Sequence, residues 1–353
     1  MIADLKILYK QEKFPVFQNR MYDTAEDAQA CPTGDICLVQ NQTTGLIYND
    51  SFRPEIVIYD SAYQNEQGLS ASFQAHLGQV LQIVERGLGK LNLVEVGCGK
   101  GLFLELLAQN GFEITGFDPT YEGTNPKVRR HFFKKGVDIQ AEGLILRHVL
   151  EHIPDPVSFL KQLSEANGGK GRVYIEVPCF DWICQHKTWF DVFYEHVNYF
   201  RLSDFDRMFG NVLESGRIFG GQYLYVVADL SSVRLPEMLP RGAVEFPSDF
   251  TSRIQQRSQG APSETIVWGG ASKGVIFSIM KERVGQPVKM VIDINPAKQG
   301  KFLPLTGLQV QSPERALSDI LPESTIYVMN SNYLDEIKSI SKNKYNYLTI
   351  DNE

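Results

Sequence analysis

The chain reads as an α/β protein in three parts: a central parallel sheet wrapped by helices, a small module before it, and a second, smaller α/β unit after it. Three observations predict this. Its 353 residues exceed one average domain of about 150. Between Leu91 and about Leu230, short apolar runs alternate with amphipathic segments, which is the layout of parallel strands joined by crossover helices. Pro236, Pro240 and Pro247 then separate that block from a third with the same alternation. The expected divisions are residues 1–80, 81–232 and 233–353.

In the first block, Pro32-Thr33-Gly34-Asp35 marks a turn, and residues 36–39 and 46–48 read as short strands. Residues 70–87 read as a helix, because Phe73, Leu77, Val80, Leu81 and Val84 recur at three- and four-residue spacing. The central block then gives strands at 93–96, 114–117, 144–146 and 172–177, with helices at 102–109 and 157–166. After an aromatic loop come a short helix at 202–209 and a pair of strands, 217–219 and 223–228, close enough in sequence to pair antiparallel at the sheet edge. Strands at 265–268, 289–292 and 325–329, with helical stretches between them, make the third block a second doubly wound unit.

Charge and cysteine usage exclude several function classes. Lys+Arg 35 against Asp+Glu 42 leaves −7, so the basic footprint of a general nucleic-acid binder is missing. No apolar stretch approaches the roughly 18 residues of a membrane span. Cys31, Cys37, Cys98, Cys179 and Cys184 are odd in number with no Cys-x-x-Cys pair, which favours reduced thiols in a cytoplasm over a disulfide framework or structural zinc. Oligomeric state leaves no signature.

Leu93-Val94-Glu95-Val96-Gly97-Cys98-Gly99-Lys100-Gly101 runs from a strand through a glycine-rich turn into a helix. Glycines let the backbone turn sharply against a ligand, and the free N–H groups of the helix start favour an anionic group. A dinucleotide fingerprint would put its third glycine where Leu102 stands; here it is Gly101. This spacing, with Glu95 before it and Asp118 closing the next strand 21 residues after Gly97, resembles the first motifs of class I S-adenosylmethionine-dependent methyltransferases. The resemblance implies a class I methyltransferase Rossmann-like sheet, S-adenosylmethionine as cofactor, and a cofactor site of Glu95, Gly97, Cys98, Gly99, Gly101, Asp118, Pro119, Arg147 and His148. The carboxylate of Asp118 is expected to accept the ribose hydroxyls. His148 and His152 admit a zinc reading, but the absence of a third ligand at suitable spacing, and a glutamate that precedes the second histidine rather than following the first, lead to an expectation of no metal.

Trp189-Phe190-Asp191-Val192-Phe193-Tyr194-Glu195-His196-Val197-Asn198-Tyr199-Phe200 follows the fifth strand, where parallel sheets place their ligands. At this loop the likeness narrows to the sugar C-methyltransferases, which methylate a keto-deoxysugar carried on a nucleoside diphosphate and whose loop reads approximately Y-H-E-H. Glu195 and His196 match its last two residues, while Phe193 and Tyr194 replace the first two. Trp268-Gly269-Gly270-Ala271-Ser272-Lys273-Gly274 and Ile292-Asp293-Ile294-Asn295-Pro296-Ala297-Lys298-Gln299-Gly300 resemble further segments of that family. The resemblance implies His196 as the base that forms an enolate, Glu195 as its orienting partner, and Tyr194, Asn198 or Tyr199 as donor to the enolate oxygen. Asn198, Tyr199 and Lys273 are the expected substrate contacts. Lys273 is either a structural corner or a partner of the diphosphate. The family's front zinc module lacks its second cysteine pair here, Asn41 and Thr44 standing there instead, and its remnant is expected to line the site through Asn19 or Tyr63. O- or N-methylation of another small molecule, and a non-catalytic cofactor-binding protein, are the alternatives.

Overall fold

The computed structural model describes residues 4–58, 68–255 and 265–351. Its front part holds β1 (Leu5–Pro15), α1 (Ala25–Gln29), β2 (Thr33–Asn41) and β3 (Ile47–Asn49). The long helix α2 (Ala71–Leu88) follows, capped by Ser70, whose hydroxyl accepts from the Phe73 N–H. Next come β4 (Leu93–Val96), α3 (Leu102–Gln109), β5 (Ile114–Phe117), β6 (Val128–Arg129), β7 (Gly143–Arg147), α4 (Pro156–Ala166) and β8 (Arg172–Pro178). The block ends with α5 (Phe180–His186), β9 (Asn198–Tyr199), α6 (Leu202–Met208), β10 (Val212–Ile218) and β11 (Tyr223–Asp229). The last unit holds β12 (Thr265–Trp268), α7 (Ser272–Arg283), β13 (Val288–Ile292), β14 (Val310–Gln311), α8 (Pro313–Asp319), β15 (Thr325–Val328), α9 (Leu334–Ile340) and β16 (Asn346–Thr349).

The central sheet has the order β10-β11-β8-β7-β4-β5-β6, with β11 antiparallel to both of its neighbours and the remaining pairs parallel. The last unit is a five-stranded parallel sheet, β14-β13-β12-β15-β16. This is the α/β class expected. Strand order reverses at β4 in the first sheet and at β12 in the second, and a crevice opens at the carboxyl end of such a strand. Both crevices meet in one cleft of about 410 Å³, lined by Gly97, Cys98 and Gly99 from one side and by Gly269, Ala271 and Ser272 from the other.

Where the structure departs from expectation, the cause is an edge or an aromatic run. β1 is eleven residues long and was not expected, because a strand with one solvated side carries Lys6, Lys10, Glu12 and Lys13 instead of an apolar run. β10 starts at Val212 rather than 217 for the same reason, alternating half-buried with exposed positions on the sheet edge. α5 occupies part of the stretch read as an aromatic loop. The four-stranded front sheet, β1-β2-β3-β9, takes its last strand from that loop, with Ile47 opposite Tyr199 and Tyr48 opposite Asn198. The proline-rich segment folds back on the same sheet: the Gln40 amide accepts from Val244 N (3.0 Å) and donates to Gly242 O (2.9 Å). Among the described residues no helix is long and apolar enough to cross a membrane, and all five cysteines are free.

Candidate active site

Gly97, Gly99 and Gly101 follow β4 with φ of +72°, +53° and +82°, a region that L side chains rarely enter. A Cβ on Gly97 would stand 2.7 Å from Cγ2 of Val149. Gly97→Ala therefore carries both backbone strain and a clash, with an expected stability loss of about 1–3 kcal/mol and weakened cofactor binding, read by urea unfolding and calorimetry. Unchanged unfolding would contradict the strained turn.

Asp118, at the end of β5, braces this turn. Its Oδ2 accepts from Gly99 N (2.8 Å), and its Oδ1 accepts from Thr120 N and Oγ1 (2.8 and 2.7 Å). The carboxylate expected to meet ribose is thus engaged in holding the loop and is not part of the cleft lining; Pro119 beyond it is exposed. Cys98 and Glu95 do line the cleft. Burial, then the charges of Glu95 and Asp118, push the Cys98 thiol far up, so it is neutral.

Burial likewise pushes the Glu95 carboxyl up to about 8, with Arg147 opposing and Asp118 adding to the rise. Its Oε2 has no hydrogen-bond partner among the described residues. An orphaned carboxylate oxygen beside a glycine cradle fits a ligand that brings a donor or a positive charge. An unfolded glutamate ionises near 4.3, so the folded chain holds an extra proton between there and about 8, and its stability falls as pH rises through that interval. Glu95→Gln removes this cost. At pH 8 the ligand-free variant is expected to melt higher, on the order of 2–4 °C, and to bind cofactor more weakly; a lower melting point would contradict the assignment.

Glu176, fully buried on β8, gathers four partners. Arg147 donates through Nε (3.1 Å), Tyr174 through its hydroxyl (2.9 Å), His76 through Nε2 (2.8 Å), and His148 through Nε2 (3.2 Å). Burial alone would raise the Glu176 carboxyl, but Arg147 and the two histidines hold it well below its usual value. His148, at φ +52°, also turns Nδ1 to Glu151 Oε1 (3.3 Å). Both ring nitrogens face carboxylates, so both carry protons. Against the cost of burial, those bonds push His148 up to about 9. Arg147 lies 4.5 Å above the Phe103 ring and, with His148, lines the cleft. Sequence reasoning missed His76, Glu151 and Glu176. A carboxylate amid Val173, Tyr174, Ile175 and Val177, on a strand buried on both faces, was the available signal.

Beyond β8, His196 and Phe193 face the cleft, with His196 half-buried and its ring 4.9 Å from those of Phe193 and His152. Burial, followed by the fields of His152 and His148, holds His196 well below the usual histidine range, so it is neutral and its lone pair can accept a proton. The Glu195 side chain is buried outside the cleft lining; what the residue offers is its backbone carbonyl, which accepts from His152 Nδ1 (2.9 Å). Three expected residues turn away. The Tyr194 hydroxyl accepts from Arg53 N (2.9 Å), with its ring stacked on Phe52 and pressed against Gly34. Tyr199 donates to Phe193 O (2.9 Å), and Asn198 donates to Ile153 O (2.6 Å). Pairing of β9 with β3 draws Asn198 and Tyr199 into the front sheet, and Tyr194 packs on Gly34 and Phe52 of the same front part, which alternation within the loop did not reveal. The fold also supplies what the metal argument lacked, since Glu151 and His196 stand beside His152 with ligand atoms within 4.8 Å of one another.

Lys273 lines the cleft but is paired, 3.1 Å from Asp191 and 3.0 Å from Gln222 Oε1, and 5.3 Å above the Trp182 ring. It ties the two sheets together, and its charge is already partly matched. Asn19 reaches the cleft, its Oδ1 accepting from Ser272 N and Oγ (3.3 and 3.1 Å). Tyr63 lies outside the described residues.

Residues 70–212 match the family model described as a methyltransferase domain. The ubiquinone biosynthesis O-methyltransferase of Aeromonas salmonicida is 29% identical over 105 residues, 25% of this chain and 44% of that protein. The corresponding protein of Ruegeria pomeroyi is 31% identical over 108 residues, 26% of this chain and 41% of that one. The chain thus spans less than half the length of these relatives. The C-methyltransferase NovU of Streptomyces niveus is 23% identical over 294 residues, 71% of this chain and 70% of that one. Among solved structures, the Burkholderia thailandensis 1,6-didemethyltoxoflavin-N1-methyltransferase aligns at a TM-score of 0.34 with 16% identity, over 44% of this chain and 78% of that one.

Proposed function

We propose that this chain, whose residues 70–212 match a methyltransferase domain, is a class I S-adenosylmethionine-dependent enzyme that transfers a methyl group to the carbon beside the ketone of a keto-deoxysugar carried on a nucleoside diphosphate. The observation that carries this reading is a neutral His196 facing the same cleft as the Gly97–Gly99–Gly101 turn. The likeness to the C-methyltransferase NovU, running over 71% of the chain, supports it beyond the single domain that the O-methyltransferases match.

Glu95 and the glycine turn would hold the cofactor, with Asp118 fixing the turn from behind. The sulfonium of the cofactor supplies an electrophilic methyl. The protein must supply a nucleophilic carbon, and a C–H bond beside a ketone is a poor acid. His196 takes that proton. Tyr194, Asn198 and Tyr199, expected to donate to the enolate oxygen, turn away from the cleft, and both N–H groups of the cationic His148 are spent on Glu176 and Glu151, so His148 offers the developing charge its field and no hydrogen bond. Phe193 and Trp182 give the sugar an apolar floor and exclude water. The five free thiols suit a reducing cytoplasm.

Exchange of the substrate C–H in deuterated water, with cofactor absent, tests the base directly. The native chain is expected to exchange it and His196→Ala not to. A native chain that methylates the sugar at oxygen without exchanging that proton overturns enolate formation in favour of O-methylation.

A further inference from the structure

Glu151 and His152 stand in the single 3-10 turn that follows β7, and His196 in the loop that leads into β9. The fold brings one ligand atom of each within 4.8 Å of the other two, at the wall of the cleft. Two further observations point to an occupant. Glu151 is 1% exposed, and its Oε2 has no hydrogen-bond partner among the described residues, while Oε1 accepts from His148. Leaving a buried carboxylate oxygen unsatisfied is costly, and a cation removes the cost. His152 gives its Nδ1 proton to the Glu195 carbonyl (2.9 Å), which fixes the tautomer with the lone pair on Nε2. A backbone carbonyl on the remote nitrogen is the support that orients metal-binding histidines.

We propose that Glu151, His152 and His196 form a binding site for one divalent metal ion of the zinc class. Two imidazoles and one carboxylate suit zinc, cobalt or nickel better than magnesium or calcium, which prefer all-oxygen shells. Three protein ligands leave a fourth position open toward the cleft. Bonds of about 2.0–2.2 Å place tetrahedral ligands roughly 3.3–3.5 Å apart, so ligand atoms now within 4.8 Å of one another close up on binding. The ion takes the lone pair of His196, so metal and substrate proton compete for it. The consequence, inhibition of turnover by zinc, rests on the preceding reading of His196 as the base; the binding site itself does not.

The test uses the whole chain, stripped with a chelator and titrated with cobalt(II), then zinc. One cobalt per chain is expected, with visible ligand-field bands and no thiolate charge-transfer band, since the free cysteines are outside the site. Zinc displaces it. Glu151→Gln and His152→Ala are expected to weaken binding by on the order of tenfold or more, while His131→Ala, at an exposed position that is not part of the cleft lining, binds as the native chain does. Circular dichroism and S-adenosylhomocysteine binding establish that each variant is folded. Cobalt held equally well by folded Glu151→Gln and His152→Ala, or held through thiolate, overturns the site. Stoichiometric binding lost in those variants, alongside full turnover in His196→Ala, keeps the metal site and overturns the base, so the two failures are distinguishable.

Discussion

His196→Ala is expected to lower methyl-transfer turnover by about 10²–10⁴-fold, the usual contribution of a positioned general base, while cofactor still binds. The separation follows from position. His196 stands in the loop beyond β8, packed on Phe193 and His152, whereas the glycine turn and Glu95 belong to β4 and its exit. A loss in kcat with an unchanged Kd for S-adenosylhomocysteine is the signature. Because burial holds His196 well below the usual histidine range, its lone pair stays available through neutral pH, and no acid limb of the rate profile near pH 6–7 is expected from this residue. Full activity in the alanine variant would remove His196 from the chemistry.

Glu176→Ala is expected to destabilise the fold by about 3–5 kcal/mol, because it leaves the partly buried Arg147 and His148 without their shared counter-charge and the buried His76 without its partner. The pH dependence of this loss carries a sign from each partner. Glu176 is depressed in the folded chain, so its contribution is present above the unfolded value near 4.3 and is lost as pH falls through the lower folded value. His148 is raised to about 9, so its contribution is complete below the unfolded value near 6.5 and is lost as pH rises through about 9. The gap between native and variant stability should therefore be widest between about pH 4.3 and 6.5 and narrow on both sides. Denaturant unfolding at a series of pH values measures it, and a gap independent of pH would contradict the charged cluster.

The most legible parts of the molecule were those where local pattern and burial agree. β4, α3, β5 and β12 begin and end where the sequence predicted, because each is a short apolar run or stripe bounded by glycine, asparagine or a charged residue. The glycine turn was legible for a related reason, since positive φ at three closely spaced positions favours glycine at each. Contacts made by distant pairing left no such mark. Tyr194, Asn198 and Tyr199 sit beside His196 in sequence and were grouped with it, yet β9 pairs with β3 and turns Asn198 and Tyr199 into the front sheet, while Tyr194 is held by Arg53 and Phe52. His76 was missed because a single ionisable residue on an apolar face looks incidental until its partner, Glu176, arrives from β8, and Glu151 was read only as a glutamate out of place for a zinc motif because His196 reaches it from a distant loop. Lys273 was found, but its pairing with Asp191 is a tertiary fact.

Transfer to carbon is tested most directly by incubating the chain with a nucleoside-diphosphate keto-deoxysugar and S-adenosylmethionine carrying a ¹³C methyl, then recording the NMR spectrum of the product. The expected result is a labelled methyl coupled to the ring carbon next to the ketone, absent from the His196→Ala reaction. A label attached to oxygen or nitrogen, or no transfer to any such sugar by a chain that binds the cofactor, would contradict it.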